Sequence, residues 1–226
     1  MSFLIVALIG LIVGAGISGW VDRMCQQERR AMKWPDVPTK ARWQRCLILT
    51  VVTAILFSAF EFAAMDLRLQ DCPEVQPSGT GRTLRLVYHL ALISLLIVAT
   101  ATDFDSYLIP DQITVTGILI GVGMAVAVGD LQVCHLWVDW HYAIPHLRGP
   151  LIPAWYDVHR NWHALAWSCT GAIVGAAVTW IARMVSSHVL GQEAMGLGDV
   201  TLMAMIGSFL GWQAVLMVFL LAPIAG

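Results

Sequence analysis

Six stretches of this chain are long and apolar enough to cross a bilayer, and hydrocarbon leaves a backbone few options. Every N–H and C=O must be satisfied internally, so a run of about 20 apolar residues makes one helical span. Phe3 to Val21, Gln112 to Gly129 and Ala164 to Ala182 hold no Asp, Glu, Lys or Arg, while Leu47 to Met65 holds only Glu61. Leu86 to Thr102 is interrupted only by His89. Val200 to Gly226 is long enough to tilt strongly or to break near Gly211-Trp212, and because it runs to the final residue a fragment is expected. Only 12% of residues are charged, against about a quarter in soluble domains, and 58% are hydrophobic. A soluble enzyme, a disordered chain and a secreted disulfide scaffold are thereby excluded. The expected fold is all-α: a polytopic bundle of six transmembrane helices, incomplete at its C-terminus. The first run has no positive charge before it, so it reads as a retained span rather than a cleaved signal peptide.

Charge placement orients the bundle. Arg23, Arg29, Arg30, Lys33, Lys40, Arg42 and Arg45, seven of the thirteen basic residues, fall in the loop at 22–46. The positive-inside rule makes that loop cytoplasmic and puts the N-terminus outside. Alternation then places 66–84 and 130–163 outside, and 103–111 and 183–199 inside. The 130–163 segment carries Trp137, Trp140, Trp155 and Trp162, which read as interfacial anchors. Its histidines, His135, His141, His146, His159 and His163, have no compact ligand spacing, so no metal is expected. The cysteines Cys25, Cys46, Cys72, Cys134 and Cys169 are scattered and form no C-x-x-C pair.

Ionisable groups at span ends are candidates for function. The third span ends in Asp103-Phe-Asp105-Ser-Tyr-Leu-Ile-Pro110-Asp111, and the sixth opens with Gly196-Leu-Gly198-Asp199. The derived topology puts both on the cytoplasmic side. Asp111, after Pro110 and before an apolar run, reads as a helix N-cap; Asp105 reads as a solvated interfacial residue; Asp199 could also cap a helix. Asp103 is harder to explain structurally, because a helix C-terminus disfavours negative charge. Two carboxylates in different protonation states are what an aspartyl hydrolase needs, one to take a proton from water and one to polarise the peptide carbonyl. The helix dipoles favour Asp199 as base and Asp103 as acid. Gly196 and Gly198 let the backbone beside Asp199 approach a substrate strand.

These segments resemble the type IV prepilin peptidases, membrane aspartyl proteases with a G-x-G-D motif. Asp103 to Asp111 is similar to the family's Asp, six residues, Pro-Asp. Gly196 to Trp212 is similar to its G-x-G-D run ending in G-W, and Gly10 to Arg23 is more loosely similar to its first span. The resemblance implies catalytic Asp103 and Asp199, supported by Gly196, Gly198, Pro110 and Asp111. It implies cleavage of prepilin or pseudopilin leaders at the cytoplasmic face of a bacterial inner membrane, with no metal or other cofactor for proteolysis and no nucleic-acid partner. Residues 84–226 would form the peptidase membrane domain, with an extracytoplasmic insertion at about 130–163, and residues 1–83 an N-terminal membrane region. Many members carry two C-x-x-C pairs in the first cytoplasmic loop, whereas Cys25 and Cys46 stand alone here. A zinc-stabilised loop is therefore not expected, and N-methylation from S-adenosylmethionine is left open. Thr201 also replaces the family's usual Lys two residues after the G-x-G-D aspartate.

Two other readings use the same carboxylates. A signal-peptide-peptidase or presenilin type shares G-x-G-D, but Asp103 follows Thr102 rather than Tyr, and Leu221-Ala-Pro-Ile is not its Pro-Ala-Leu. A transporter would place its ionisable groups nearer the membrane midplane. Against a non-catalytic component of a secretion or pilus system stands the presence of both aspartates, Asp103 and Asp199, and both glycines, Gly196 and Gly198.

Overall fold

The computed structural model describes residues 3–33, 39–68, 79–132, 158–192 and 195–225. Six helices account for nearly all of them: α1 (Phe3–Ala31), α2 (Thr39–Glu61), α3 (Gly79–Ser106), α4 (Asp111–Val128), α5 (Arg160–Leu190) and α6 (Leu197–Ala225). A π-helical turn, Phe62–Asp66, extends α2. All six are long and apolar enough to span a membrane, and no strand occurs among the described residues.

Most helices outrun the apolar stretch that reveals them. The segment at 22–46, expected as a loop, is largely helical: α1 continues to Ala31 and α2 begins at Thr39. Asp22 to Ala31 contains no Gly or Pro and is rich in Arg, Gln and Glu, which are good helix formers without being apolar. The basic residues at its two ends are therefore held on helix faces. Helix stops are made by left-handed residues. Gly129 (φ 80°) follows α4 and Gly191 (φ 68°) follows α5, while α3 stops on Tyr107 at φ 53°.

The chain divides into two compact units, Met1–Leu67 with His89–Gly117, and Arg68–Tyr88 with Ile118–Gly226. In the first, α1 and α2 meet through small residues. A Cβ on Gly10 would collide with the backbone of Ala54, and one on Gly14 with that of Thr50. Val6, Ile17, Val21 and Phe57 are buried in this unit. Glu61, the charge inside the second apolar stretch, is also buried, and its neighbour Phe60 packs on the His89 ring with centroids 5.6 Å apart.

In the second unit α5 and α6 approach more closely still. Gly171 faces the Gly207 carbonyl, and Gly175 faces that of Met203. The break expected near Gly211-Trp212 is present: Gly211 is non-helical at φ 82° and ψ 169°, with the Trp167 ring where its Cβ would be. Such a break interrupts the hydrogen-bond ladder of the preceding turn, and in lipid the freed groups need other donors. The Ser208 carbonyl accepts hydroxyls from Ser168 (2.6 Å) and Tyr88 (3.2 Å), and the Tyr88 hydroxyl also reaches the Gly121 carbonyl (3.1 Å). The Tyr88 ring lies on Phe209, centroids 4.6 Å apart.

Candidate active site

Asp103 belongs to the first unit, three residues before the end of α3. Its side chain is exposed, and its carbonyl accepts the Tyr107 N–H at 2.8 Å, closing the final turn. Pro110 and Asp111 follow. Asp111 stands in the first turn of α4, where a carboxylate suits the positive end of a helix, and the Pro110 carbonyl accepts the Ile113 N–H at 3.0 Å. Asp111 is thus the first residue of α4 rather than the N-cap that precedes it, and what it offers there is its charge. A cavity of about 340 Å³ separates this link from α1, with Met24 and Glu28 on one side and Ile109 to Asp111 on the other.

Asp105 is not the solvated residue that local sequence suggests. Residues two apart on a helix point in nearly opposite directions, so while Asp103 faces out, Asp105 turns into the unit. Its side chain retains 16% of its exposure. Arg29 of α1 grips both carboxylate oxygens, Nη2 to Oδ1 at 3.1 Å and Nε to Oδ2 at 3.4 Å, and reaches the Asp105 carbonyl at 3.4 Å. Arg45 of α2 adds Nη1 to Oδ2 at 3.2 Å and pairs with Asp22 through its other nitrogen. The Cys25 thiol hydrogen-bonds the same carboxylate. Two arginines and two aspartates from three helices thus balance in charge at one end of the unit. Nothing local in the sequence singles out Arg29 and Arg45 among seven basic residues, because the Arg29–Asp105 pair spans 76 positions.

Asp199 belongs to the second unit, in the first turn of α6. Its Oδ2 accepts the Gly196 N–H at 3.1 Å, the reach-back of a third-position acid to the residue that opens the helix. Capping leaves its other oxygen for further use. Gly196 is exposed and Gly198 half-buried, so the turn presents bare backbone beside the carboxylate. Thr201, where resemblance leads one to expect Lys, donates its hydroxyl to the Gly198 carbonyl at 3.0 Å. Sequence reasoning overlooked Arg183, whose Nε donates to the Met195 carbonyl at 2.8 Å and ties the entry of the G-L-G-D turn to α5.

The other flagged residues pack. His163 is buried with Nδ1 at 3.2 Å from Gln132 Nε2, and Trp162 beside it is exposed, as an interfacial anchor would be. His135, His141, His146, Trp137, Trp140, Trp155, Cys72 and Cys134 lie outside the described residues. Among the described residues no cluster of His, Cys, Asp or Glu has the makings of a metal site.

The sequence pattern of the Type IV leader peptidase family matches residues 90–226, enclosing both motifs. A prepilin leader peptidase/N-methyltransferase of Myxococcus xanthus is 32% identical over 150 residues, 65% of this chain and 34% of its own length. Proteins of the same name from Aeromonas hydrophila (28% identical; 61% of this chain, 36% of theirs) and Klebsiella pneumoniae (29%; 61% and 46%) are also similar. The chain spans between a third and a half of the length of these relatives. No solved structure matches. A family match over more than half of the chain, on six helices of membrane-spanning length, makes this multi-pass membrane protein a member of the type IV leader peptidase family.

Proposed function

We propose that the chain is an aspartic endopeptidase that removes the leader from type IV prepilin or pseudopilin precursors at the cytoplasmic face of a bacterial inner membrane. The observation that carries this reading is the family match over 90–226, which contains two aspartates set at the ends of membrane-length helices. Residues 84–226 form the peptidase domain. Asp199 takes a proton from water as its oxygen bonds to the scissile carbonyl carbon, and Asp103 gives a proton to the carbonyl oxygen. The resulting diol collapses as the ionised Asp103 takes a proton from one of its hydroxyls and Asp199 gives its proton to the departing nitrogen. This breaks the C–N bond and returns both carboxyl groups to their starting states. Pro110 fixes the backbone after Asp103, while Gly196 and Gly198 keep the approach to Asp199 clear.

The test is cleavage, in membranes, of a substrate bearing a basic leader and a Gly before its apolar helix. Wild type should process it, Asp103→Asn and Asp199→Asn should not, and Asp111→Asn should retain much of the activity. Normal processing by Asp103→Asn would defeat the assignment. Mass spectrometry of the same product reports whether the new N-terminus is methylated, an activity carried in the names of the relatives.

A further inference from the structure

We propose that Asp105 is a positioning residue for this cleavage: clamped by Arg29 of α1 and Arg45 of α2, it fixes the rotation of the last turn of α3 and so aims Asp103. The proposal rests on the reading of Asp103 as catalytic.

Three observations within the first unit carry it. Asp105 lies about 200° around the helix from Asp103, so a restraint on one sets the direction of the other. The restraint has two points of origin. Arg29 meets both carboxylate oxygens and the backbone carbonyl of Asp105, while Arg45 arrives from a different helix onto Oδ2. A planar guanidinium bound on two edges resists rotation in a way that a single point charge does not. The turn being held is also one that would not hold itself. It closes on Tyr107, a non-glycine residue at φ 53° whose side chain is 82% exposed, so packing on that side chain does not keep it there. Left-handed backbone on a residue with a Cβ is unfavourable and persists where its surroundings impose it. The Ser106 hydroxyl on the Thr102 carbonyl (2.8 Å) and the Asp105 clamp supply that imposition from the buried side.

The experiment uses the full chain in membranes and measures kcat and KM separately for a prepilin-like substrate. Asp105→Asn should lower kcat about 10- to 100-fold, the scale of a small misplacement of a reacting group, with KM within about twofold. Asp105→Glu should recover part of the loss and Arg29→Lys should fall between wild type and Asp105→Asn. The double variant Asp105→Asn/Arg29→Gln should be no slower than the slower single variant, because both remove one restraint. Wild-type kcat in Asp105→Asn, with Asp103→Asn inactive, would overturn the clamp and leave the proposed function intact. Complete inactivity of Asp105→Asn without rescue by Glu would overturn it too, making Asp105 a reacting group. Hydrogen exchange of the Tyr107 amide gives a readout that needs no substrate: Asp105→Asn should speed it at least fivefold. Unchanged exchange defeats the proposal whatever the enzyme cleaves.

Discussion

The α1–α2 pair and the α5–α6 pair face the same difficulty, since two apolar helices gain little from each other when lipid is as apolar as they are. They meet it differently. The α5–α6 pair brings backbone against backbone at Gly171, Gly175 and Gly207, and repairs the break at Gly211 with hydroxyls. The α1–α2 pair uses Gly10 and Gly14 along its apolar length but adds an ionic knot where the helices outrun the apolar stretch. Close packing tolerates no added volume and ignores salt. The knot tolerates volume and depends on charge. Each motif aspartate inherits the character of its own unit: Asp199 is held by a backbone N–H, and Asp103 by the neighbours of Asp105.

The contrast can be broken from either side. The largest effect is expected at the aspartates, where Asp103→Asn or Asp199→Asn should each cost about 10²–10⁴-fold in cleavage rate, measured by single-turnover processing. Next comes Gly207→Leu, which pushes a side chain into the Gly171 backbone. It should destabilise the fold by about 3 kcal/mol, seen as a lowered thermal midpoint in detergent. Arg45→Gln should cost about 1 kcal/mol, because the knot is partly solvated, and the loss should shrink as salt rises toward about 1 M. Salt-independent loss would remove the electrostatic half of the comparison. Smallest is Ser168→Ala, at about 0.6 kcal/mol and insensitive to salt, since Tyr88 still serves the Ser208 carbonyl.

How much of this was legible beforehand follows the range of the forces involved. Apolar runs announce spans because burial in lipid is set residue by residue, so all six helices could be read directly, and the break at Gly211 stood as one of two alternatives beside a strong tilt. Their polar extensions could not, because Arg, Gln and Glu continue a helix without marking it. Asp103, Asp111 and Asp199 stand in short local motifs and were visible as candidates. The partners of Asp105 were hidden: Arg29 and Arg45 become neighbours of α3 only once three helices have packed. The left-handed turn at Tyr107 was equally hidden, since no glycine advertises it.

The Asp105 clamp also has a history within each molecule. Asp105 is synthesised 76 residues after Arg29, a delay of roughly 4–15 s at about 5–20 residues per second. For the last 60 residues of that interval, once Arg45 has been made, the newborn chain holds two arginines whose later partner does not yet exist. Asp22, made seven residues before Arg29, is already there to engage Arg45 as soon as α2 begins. Because the Asp22–Arg45 pair lies wholly within α1 and α2, α3 adds Asp105 to a site whose charge those two helices already half balance.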